Sequence, residues 1–255
     1  NTYTSGVVCA KVSRYAERTH HPDRLTKPLM RVGKKGSNDF KEIEWEQALD
    51  IVAENFISTA QKHGTESIWP YFYAGTMGLV QRDGINRLRH AMKYSGQHST
   101  ICSTITASGF RAGVGTLKGP DPREMALADV ILVWGCNPAS TQVNVMKHIQ
   151  KARKDRNAKL IVVDPYKTRS AKVADFHYAI KPGTDGALAC SIMHILFRDN
   201  YADKEYMDKY TDDPKGLEKH VKKYTPEWGS KITGLSLREI EEFAKIFGTT
   251  KRLYS

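Results

Sequence analysis

Several absences narrow the possibilities at once. No apolar run approaches the roughly 18 residues that a membrane-spanning helix requires. Only four cysteines occur among 255 residues, and no two form a C-x-x-C pair. A disulfide scaffold is therefore excluded, and a structural zinc site within the chain is disfavoured. No G-x-G-x-x-G follows an apolar run and no G-x-x-x-x-G-K-[ST] is present, which argues against an ordinary nicotinamide enzyme or P-loop ATPase. There is no internal repeat and no low-complexity tract. The chain starts at Asn1 without an initiator methionine, an apolar signal region or a twin-arginine stretch, and stops just as a new apolar segment begins at 252–254. Both ends read as cuts, and the whole as a central slice of a longer protein.

What is present is ordinary in amount and uneven in placement. Forty per cent apolar and 26% charged residues exclude wholesale disorder. The length allows one large domain or two lobes. The net charge of +11 divides into +5 over residues 1–40, −1 over 41–130, +6 over 131–200 and +1 over 201–255. Two basic blocks mean either a solvated face or a polyanionic ligand, with nucleic acid and a pyrophosphate-bearing nucleotide as the candidates. The basic residues lack interleaved aromatic platforms and carry no recognition motif, so nucleic acid is disfavoured.

In the first half, 30–32 and 40–43 flank a Gly/Lys/Ser/Asn-rich turn and read as a hairpin. Residues 45–63 form an amphipathic helix with Trp45, Ala48, Leu49, Val52, Phe56 and Ala60 on one face, stopped by Gly64. The apolar run 67–73 reads as a buried strand. A loop, Gly75-Thr-Met-Gly78, and a helix over 79–94 follow it.

The second half alternates strands and helices. The runs 128–134, 159–163 and 176–180 are unbroken and apolar, as strands buried on both faces are. Helices are predicted over 140–156 and 185–200, with a short one over 170–175. Alternation of this kind implies βαβ units and a parallel sheet. Near the end, Ser236-Leu-Arg-Glu239 is a capping box with Leu235 and Ile240 as its hydrophobic staple. Ile240, Phe243, Ala244 and Phe247 form the apolar face of that helix, and Gly248 is expected to end it.

Ligands of open parallel sheets bind outside the carboxyl ends of the strands. Here those ends carry Gly135-Cys-Asn-Pro138, Asp164-Pro-Tyr-Lys-Thr168 and Pro182-Gly-Thr-Asp185. Glycines let backbone N–H groups approach phosphates, and helix N-termini add positive potential. Asp164 and Asp185 could accept from ribose hydroxyls or a base edge. Turn and cap chemistry alone would also call for Gly, Pro, Asn and Asp in such loops. Three loops of this kind in register favour a nucleotide site. Among the cysteines, Cys190 belongs to an apolar helix segment and reads as packing, and Cys136 as core or loop. Cys9 and Cys102 sit in loop-like surroundings.

Along essentially its whole length the sequence resembles the catalytic subunits of the molybdopterin oxidoreductase family, the dimethyl sulfoxide reductase superfamily. The resemblance is carried in order by Cys9-Ala-Lys11, His21-Pro-Asp-Arg-Leu25, Pro28-Leu-Met-Arg31 and Phe40-Lys-Glu-Ile-Glu-Trp45. It continues through Trp134-Gly-Cys-Asn-Pro138 with Thr141, Val163-Asp-Pro165 with Thr168, Ala174-Asp175, Pro182-Gly-Thr-Asp-Gly-Ala-Leu188, Tyr224-Thr-Pro-Glu-Trp228 and Ile232-Thr-Gly234. Each motif alone is weak, whereas the ordered series is specific.

The resemblance implies an α/β fold, a three-layer αβα arrangement with a mostly parallel, Rossmann-like sheet. It divides the chain into the tail of an iron–sulfur domain (1–26), the first part of an α/β domain (27–115) and a guanine-dinucleotide-binding domain (116–255). It implies a molybdopterin guanine dinucleotide cofactor with molybdenum or tungsten, and a four-iron four-sulfur cluster. Cys9 is similar to the fourth cluster ligand, Lys11 to the lysine between cluster and pterin, and Cys102 to the side chain that ligates the metal. A thiolate is an apt ligand for such a metal. Trp134, Gly135, Asn137, Thr141, Asp164, Pro165, Thr168, Gly183, Thr184 and Asp185 resemble the residues that hold the dinucleotide. The implied activity is electron transfer between a small-molecule substrate and the cluster. An iron–sulfur electron-transfer subunit and a membrane-anchor subunit are the implied partners, and the compartment stays open between cytoplasm and periplasm.

The sequence departs from the family pattern in places. The first three cluster cysteines are absent, and a lone Cys9 cannot hold a cubane. Val12 replaces a usual Gly, and Glu44 a usual capping Ser. Ser103 follows Cys102 where some formate dehydrogenases carry His. The missing cysteines keep open an alternative, a metal-free nucleotide-binding or interaction module built on the same fold.

Overall fold

The structure, a computed structural model, describes residues 4–72, 79–98 and 102–255; the side chains of 79–83 and of Cys102 lie outside this description. The loop at 75–78 and Tyr73 also lie outside it. The chain divides into two compact units, Tyr15–Lys118 on the one hand and Asn1–Arg14 with Gly119–Ser255 on the other. No helix among the described residues is long and apolar enough to cross a membrane.

The unit formed by Tyr15–Lys118 holds a short helix α1 (Tyr15–Thr19), a hairpin of β1 (Leu29–Arg31) and β2 (Phe40–Glu42), and helices α2 (Trp45–His63), α3 (Leu79–Met92) and α4 (Cys102–Val114). The hairpin is antiparallel, with Met30 opposite Lys41, as its Gly-rich turn requires. Glu44 caps α2 without a side-chain bond to the helix; its carboxylate receives Lys27 Nζ instead. That contact raises the Lys27 pKa. Gly64, at φ +86°, ends α2.

The amphipathic helix expected over 45–63 is present with those bounds as α2, its apolar stripe open among the described residues, with Trp45 62% and Leu49 57% exposed. Phe56 does meet a neighbour, the edge of the Tyr94 ring at 5.7 Å. The run after Gly64 is no strand: Thr65–Ser67 is a 3-10 turn and 68–72 is irregular. Strand hydrogen bonds need a neighbouring strand, and this run receives one backbone bond there, from Ser95 N–H to Ile68 O. Among its described residues only Ile68 is buried.

The other unit is the parallel-sheet domain. After a 3-10 turn at Pro122–Leu127 come β3 (Val130–Trp134), α5 (Pro138–Thr141), α6 (Val143–Arg156), β4 (Lys159–Val163), a 3-10 turn at Ala171–Val173, β5 (Phe176–Tyr178) and α7 (Asp185–Arg198). Then follow α8 (Lys204–Tyr210), α9 (Pro214–Val221), α10 (Pro226–Thr233), α11 (Leu237–Thr249) and β6 (Leu253–Tyr254). The strand order is β5-β4-β3-β6, every pairing parallel. Val130, Leu132, Ile161 and Val163 pack on one side against Leu188, Ile192 and Ile195 of α7 and Ile240 and Phe243 of α11. Ile131, Val133, Leu160 and Val162 pack on the other against Ile149 and Ala152 of α6. Alternate residues of each strand thus feed two cores, which is why the strands read as unbroken apolar runs. The fold is α/β with helices on both faces of a parallel sheet.

Local chemistry explains the boundaries. Ser236 and Glu239 form the reciprocal capping box of α11. The helix predicted over 140–156 is two pieces broken at Gln142. Thr141 Oγ1 bonds back to Asn137 O at 3.0 Å, a side-chain competitor for helix geometry. Gly248 does not end α11, which runs to Thr249. A Cβ at Gly248 would lie 2.5 Å from Tyr201 Cβ, so glycine there permits close packing against Tyr201.

Candidate functional site

The three loops that leave the carboxyl ends of β3, β4 and β5 are held together by side chains. After Trp134 the chain turns at Gly135, whose φ of +60° favours glycine. Its N–H donates to Val163 O at 2.9 Å, carrying the β3–β4 ladder one step past the strand. A Cβ on Gly135 would meet nothing within 4 Å, so the turn faces open space. Asn137 precedes α5, with Pro138 at its first position, and makes no side-chain cap bond. Its Oδ1 instead accepts from Ser170 Oγ at 2.8 Å and Ser170 N–H at 3.3 Å. Ser170 Oγ in turn accepts from Ala139 N–H at 3.0 Å. The fully buried Ser170 therefore clamps the β3 loop to the β4 loop.

The β4 loop is stiffened from within. Asp164 is buried, and its Oδ1 accepts from Tyr166 N–H at 3.2 Å, an Asx turn that carries the chain over Pro165. Its carbonyl lies 3.0 Å from His177 Nε2 of β5. Thr168 is also buried and accepts from Ala171 N–H at 3.1 Å. Beyond β5, the Thr184 hydroxyl donates to Lys181 O at 2.6 Å. Gly183 takes a φ of +79° with open space at its Cβ position. Asp185 begins α7, and its Oδ1 accepts from Trp134 Nε1 at 2.7 Å. This bond ties the end of β3 to the start of α7, and it uses the Asp185 oxygen that a ribose could otherwise have taken.

The electrostatics favour an anion. The N-terminus of the fourteen-residue α7 opens at this end of the sheet, where the unsatisfied N–H groups of a first turn and the helix dipole favour negative charge. The loops also carry Lys167, Arg169 and Lys181, all exposed. The Lys181 stem lies against Gly234, where a Cβ would meet its Cε at 3.1 Å.

The N-terminal arm reaches the same loops. Lys11 Nζ donates to Ser140 O of α5 at 2.8 Å. Cys9, half-buried, makes a turn in which its carbonyl accepts from Val12 N–H and Ser13 N–H. Cys102 opens α4 in the other unit, and its side chain lies outside the described residues. Among the described residues no group of three or more His, Cys, Asp or Glu side chains gathers to hold a metal.

The structure thus brings ten sequence-identified residues, Trp134 to Asp185, onto three adjoining loops, with Lys11 beside the first. Sequence reasoning missed Ser170, which a lone serine in a polar turn does not announce. It also missed Tyr178 of β5, which stacks on Phe243 at 4.7 Å. The Tyr178 hydroxyl is buried without a partner among the described residues, and burial pushes its pKa up.

The family model for molybdopterin oxidoreductase matches residues 24–249. The chain is 39% identical over 248 residues to the probable oxidoreductase YoaE of Bacillus subtilis, covering 97% of this chain and 36% of that protein. It is 33% identical to the F420-dependent formate dehydrogenase subunit alpha of Methanocaldococcus jannaschii, covering 97% and 36% respectively. Against dimethyl sulfoxide reductase DmsA of Escherichia coli the identity is 29%, with 95% and 34% covered. The acetylene hydratase of Pelobacter acetylenicus superposes with a TM-score of 0.73 at 25% identity, over 96% of this chain and 34% of that one. The chain spans about a third of the length of the relatives it matches.

Proposed function

Because the chain belongs to the molybdopterin oxidoreductase family, we propose that it forms the part of a catalytic subunit that grips the guanine dinucleotide arm of a molybdopterin cofactor. The observation that carries this reading is the set of three strand-end loops, cross-linked by Trp134–Asp185 and Asn137–Ser170 and open where Gly135 and Gly183 turn. Those glycines leave a cradle that side chains do not fill, and the chemistry around it suits a pyrophosphate: cations on the loops and a helix N-terminus. The donor set therefore fits the group that the family implies.

The roles follow from position. Gly135, Gly183 and the first turn of α7 receive the phosphates. Asn137, Thr141, Asp164, Pro165, Thr168 and Thr184 shape and line the loops. The Trp134–Asp185 bond holds the β3 and β5 loops at a fixed separation, which pre-organises the cradle. Lys11, anchored on Ser140, sets the arm that carries Cys9 beside the cradle; this would keep a cluster bound through Cys9 close to the pterin. Cys102 is the proposed ligand of molybdenum or tungsten. When bound, the metal and its pterin supply a two-electron redox centre, and the cluster passes electrons on singly. An iron–sulfur subunit and a membrane-anchor subunit are the partners this reading calls for, and a small molecule is the substrate.

The test is compositional. The full-length protein should release guanosine monophosphate on acid hydrolysis and contain molybdenum or tungsten in stoichiometric amount by mass spectrometry. Stoichiometric zinc with neither metal and no guanine nucleotide would overturn the reading. Cys102→Ser should retain the nucleotide while losing turnover.

A further inference from the structure

The far end of α7 carries a feature unrelated to the strand-end loops. About 14–20 Å along that helix from Asp185, by its rise per residue, a groove of about 460 Å³ opens between the last turn of α7 and α9. Phe197 lies in the groove, and Lys215, Lys219 and Lys222 line it. A shallower hollow on the same helix shares Lys219 and Lys222 and adds His220 and Lys223. The groove is braced, because His194 Nδ1 on α7 lies 3.1 Å from Val221 O at the end of α9.

The lysine charge in the groove is unmatched. Several other cations of the unit are paired, Arg153 with Asp175, Arg156 and Arg252 with Asp129, Lys151 with Asp155, and so is Arg198, which also lines the groove, with Asp199 and Glu241. Among the described residues, Lys215, Lys219 and Lys222 have no carboxylate within ion-pair distance, and Glu218 is the one acidic residue lining the groove. Lys223 instead places its ammonium over the Tyr224 ring at 5.0 Å. Lys215 and Lys219 of α9 and Lys222, at its C-terminal cap, follow i, i+4, i+7 spacing and so form a row along one face, about 6 and 4.5 Å apart along the axis.

We propose that this groove docks an acidic segment of a protein partner, in extended conformation, with carboxylates on alternate residues meeting the lysine row. Side chains on one face of an extended peptide recur about every 6.8 Å; the first lysine interval is close to this and the second falls about 2 Å short, a difference that the long lysine stems take up. The intervening residues are apolar and sit on Phe197 and on the aliphatic stems of the lysines, which cover apolar surface while their ammonium groups stay in water. Exposed, flexible lysines with no buried polar group among them suit a mobile acidic strand better than a small anion needing fixed donors.

The probe is a fluorescein-labelled peptide of alternating glutamate and leucine, titrated with the full-length protein and followed by fluorescence anisotropy. Micromolar binding is expected, weakening as salt shortens the screening length. The triple variant Lys215→Glu, Lys219→Glu, Lys222→Glu should bind at least about tenfold more weakly. The control Lys154→Glu, Lys245→Glu should bind within about twofold of the unaltered protein, since neither residue lines the groove. Thermal melts within a few degrees of each other establish that both variants are folded. Absence of binding, equal loss in the control, or equally tight binding of an all-glutamate peptide would overturn the proposal. Tighter binding of single-stranded RNA that displaces the peptide would also overturn it. None of these measurements reads metal, nucleotide or turnover, so they stand or fall apart from the cofactor assignment.

Discussion

Replacing Ser170 with alanine isolates the clamp between the β3 and β4 loops. The side chain is fully buried and has two hydrogen bonds, one donated to Asn137 Oδ1 at 2.8 Å and one accepted from Ala139 N–H at 3.0 Å. Alanine removes both with little change in volume. Loss of the first costs about 1 kcal/mol, and the Ala139 amide left without its acceptor costs at least about 1 more. Asn137 Oδ1 keeps the Ser170 N–H, so the loss stops there, at about 2 kcal/mol. For a domain of this size that lowers the melting temperature by roughly 4–8 °C. Chemical denaturation of wild type, Ser170→Ala, Asn137→Ala and the double variant gives the coupling directly. A coupling of about 1 kcal/mol is expected between groups in contact. A single variant within about 0.5 kcal/mol of wild type, or a strictly additive cycle, would refute the clamp. Because both loops also shape the cradle, Ser170→Ala should release guanine nucleotide faster than wild type.

Tyr178→Phe removes a buried hydroxyl that has no partner among the described residues, so it should stabilise the protein by about 1 kcal/mol in a denaturant titration. A loss of stability would mean that the hydroxyl is satisfied. Gly248→Ala drives a Cβ into Tyr201 and should destabilise by about 1–3 kcal/mol, while Gly248→Ala combined with Tyr201→Ala should recover part of that. Stability should fall in acid. Arg123 holds the Asp121 carboxyl down at about 2, and Arg252 and Arg156 lower Asp129. Groups depressed in the folded state stabilise it above their unfolded pKa of about 4 and lose that effect as pH drops through the folded value. Melting temperature should therefore hold from pH 7 to about 5 and decline between about 4 and 2. Asp129→Asn should flatten that decline.

The parallel sheet was legible because its strands feed cores on both sides and so carry unbroken apolar runs, while α11 announced its start through a capping box. The failures share a cause, which is that a local pattern does not name its neighbour. The aromatic run after Gly64 has strand composition but no strand beside it among the described residues. Gly248 looks like a helix stop until Tyr201 is seen against it. At the candidate site, Trp134, Asn137, Asp164 and Asp185 stood out by residue type and position at strand ends. Ser170 became visible only when its two bonding partners, more than thirty residues earlier, were brought to it by the fold.

The arm carrying Cys9 and Lys11 is fastened by side-chain bonds that reach far along the chain. Lys11 to Ser140 spans 129 residues, and Lys147 to Ser5 spans 142. Closing a flexible loop of that length costs about 4 kcal/mol in entropy, whereas each exposed hydrogen bond returns about 1 kcal/mol. In the order of folding, the arm joins after β3, β4 and β5, whose pairings lie close along the chain, because contacts of such separation are made late. None of its described residues belongs to either core, so its detachment leaves both in place. Seating of Cys9 and Lys11 thus follows, and depends on, completion of the β3–α5 turn.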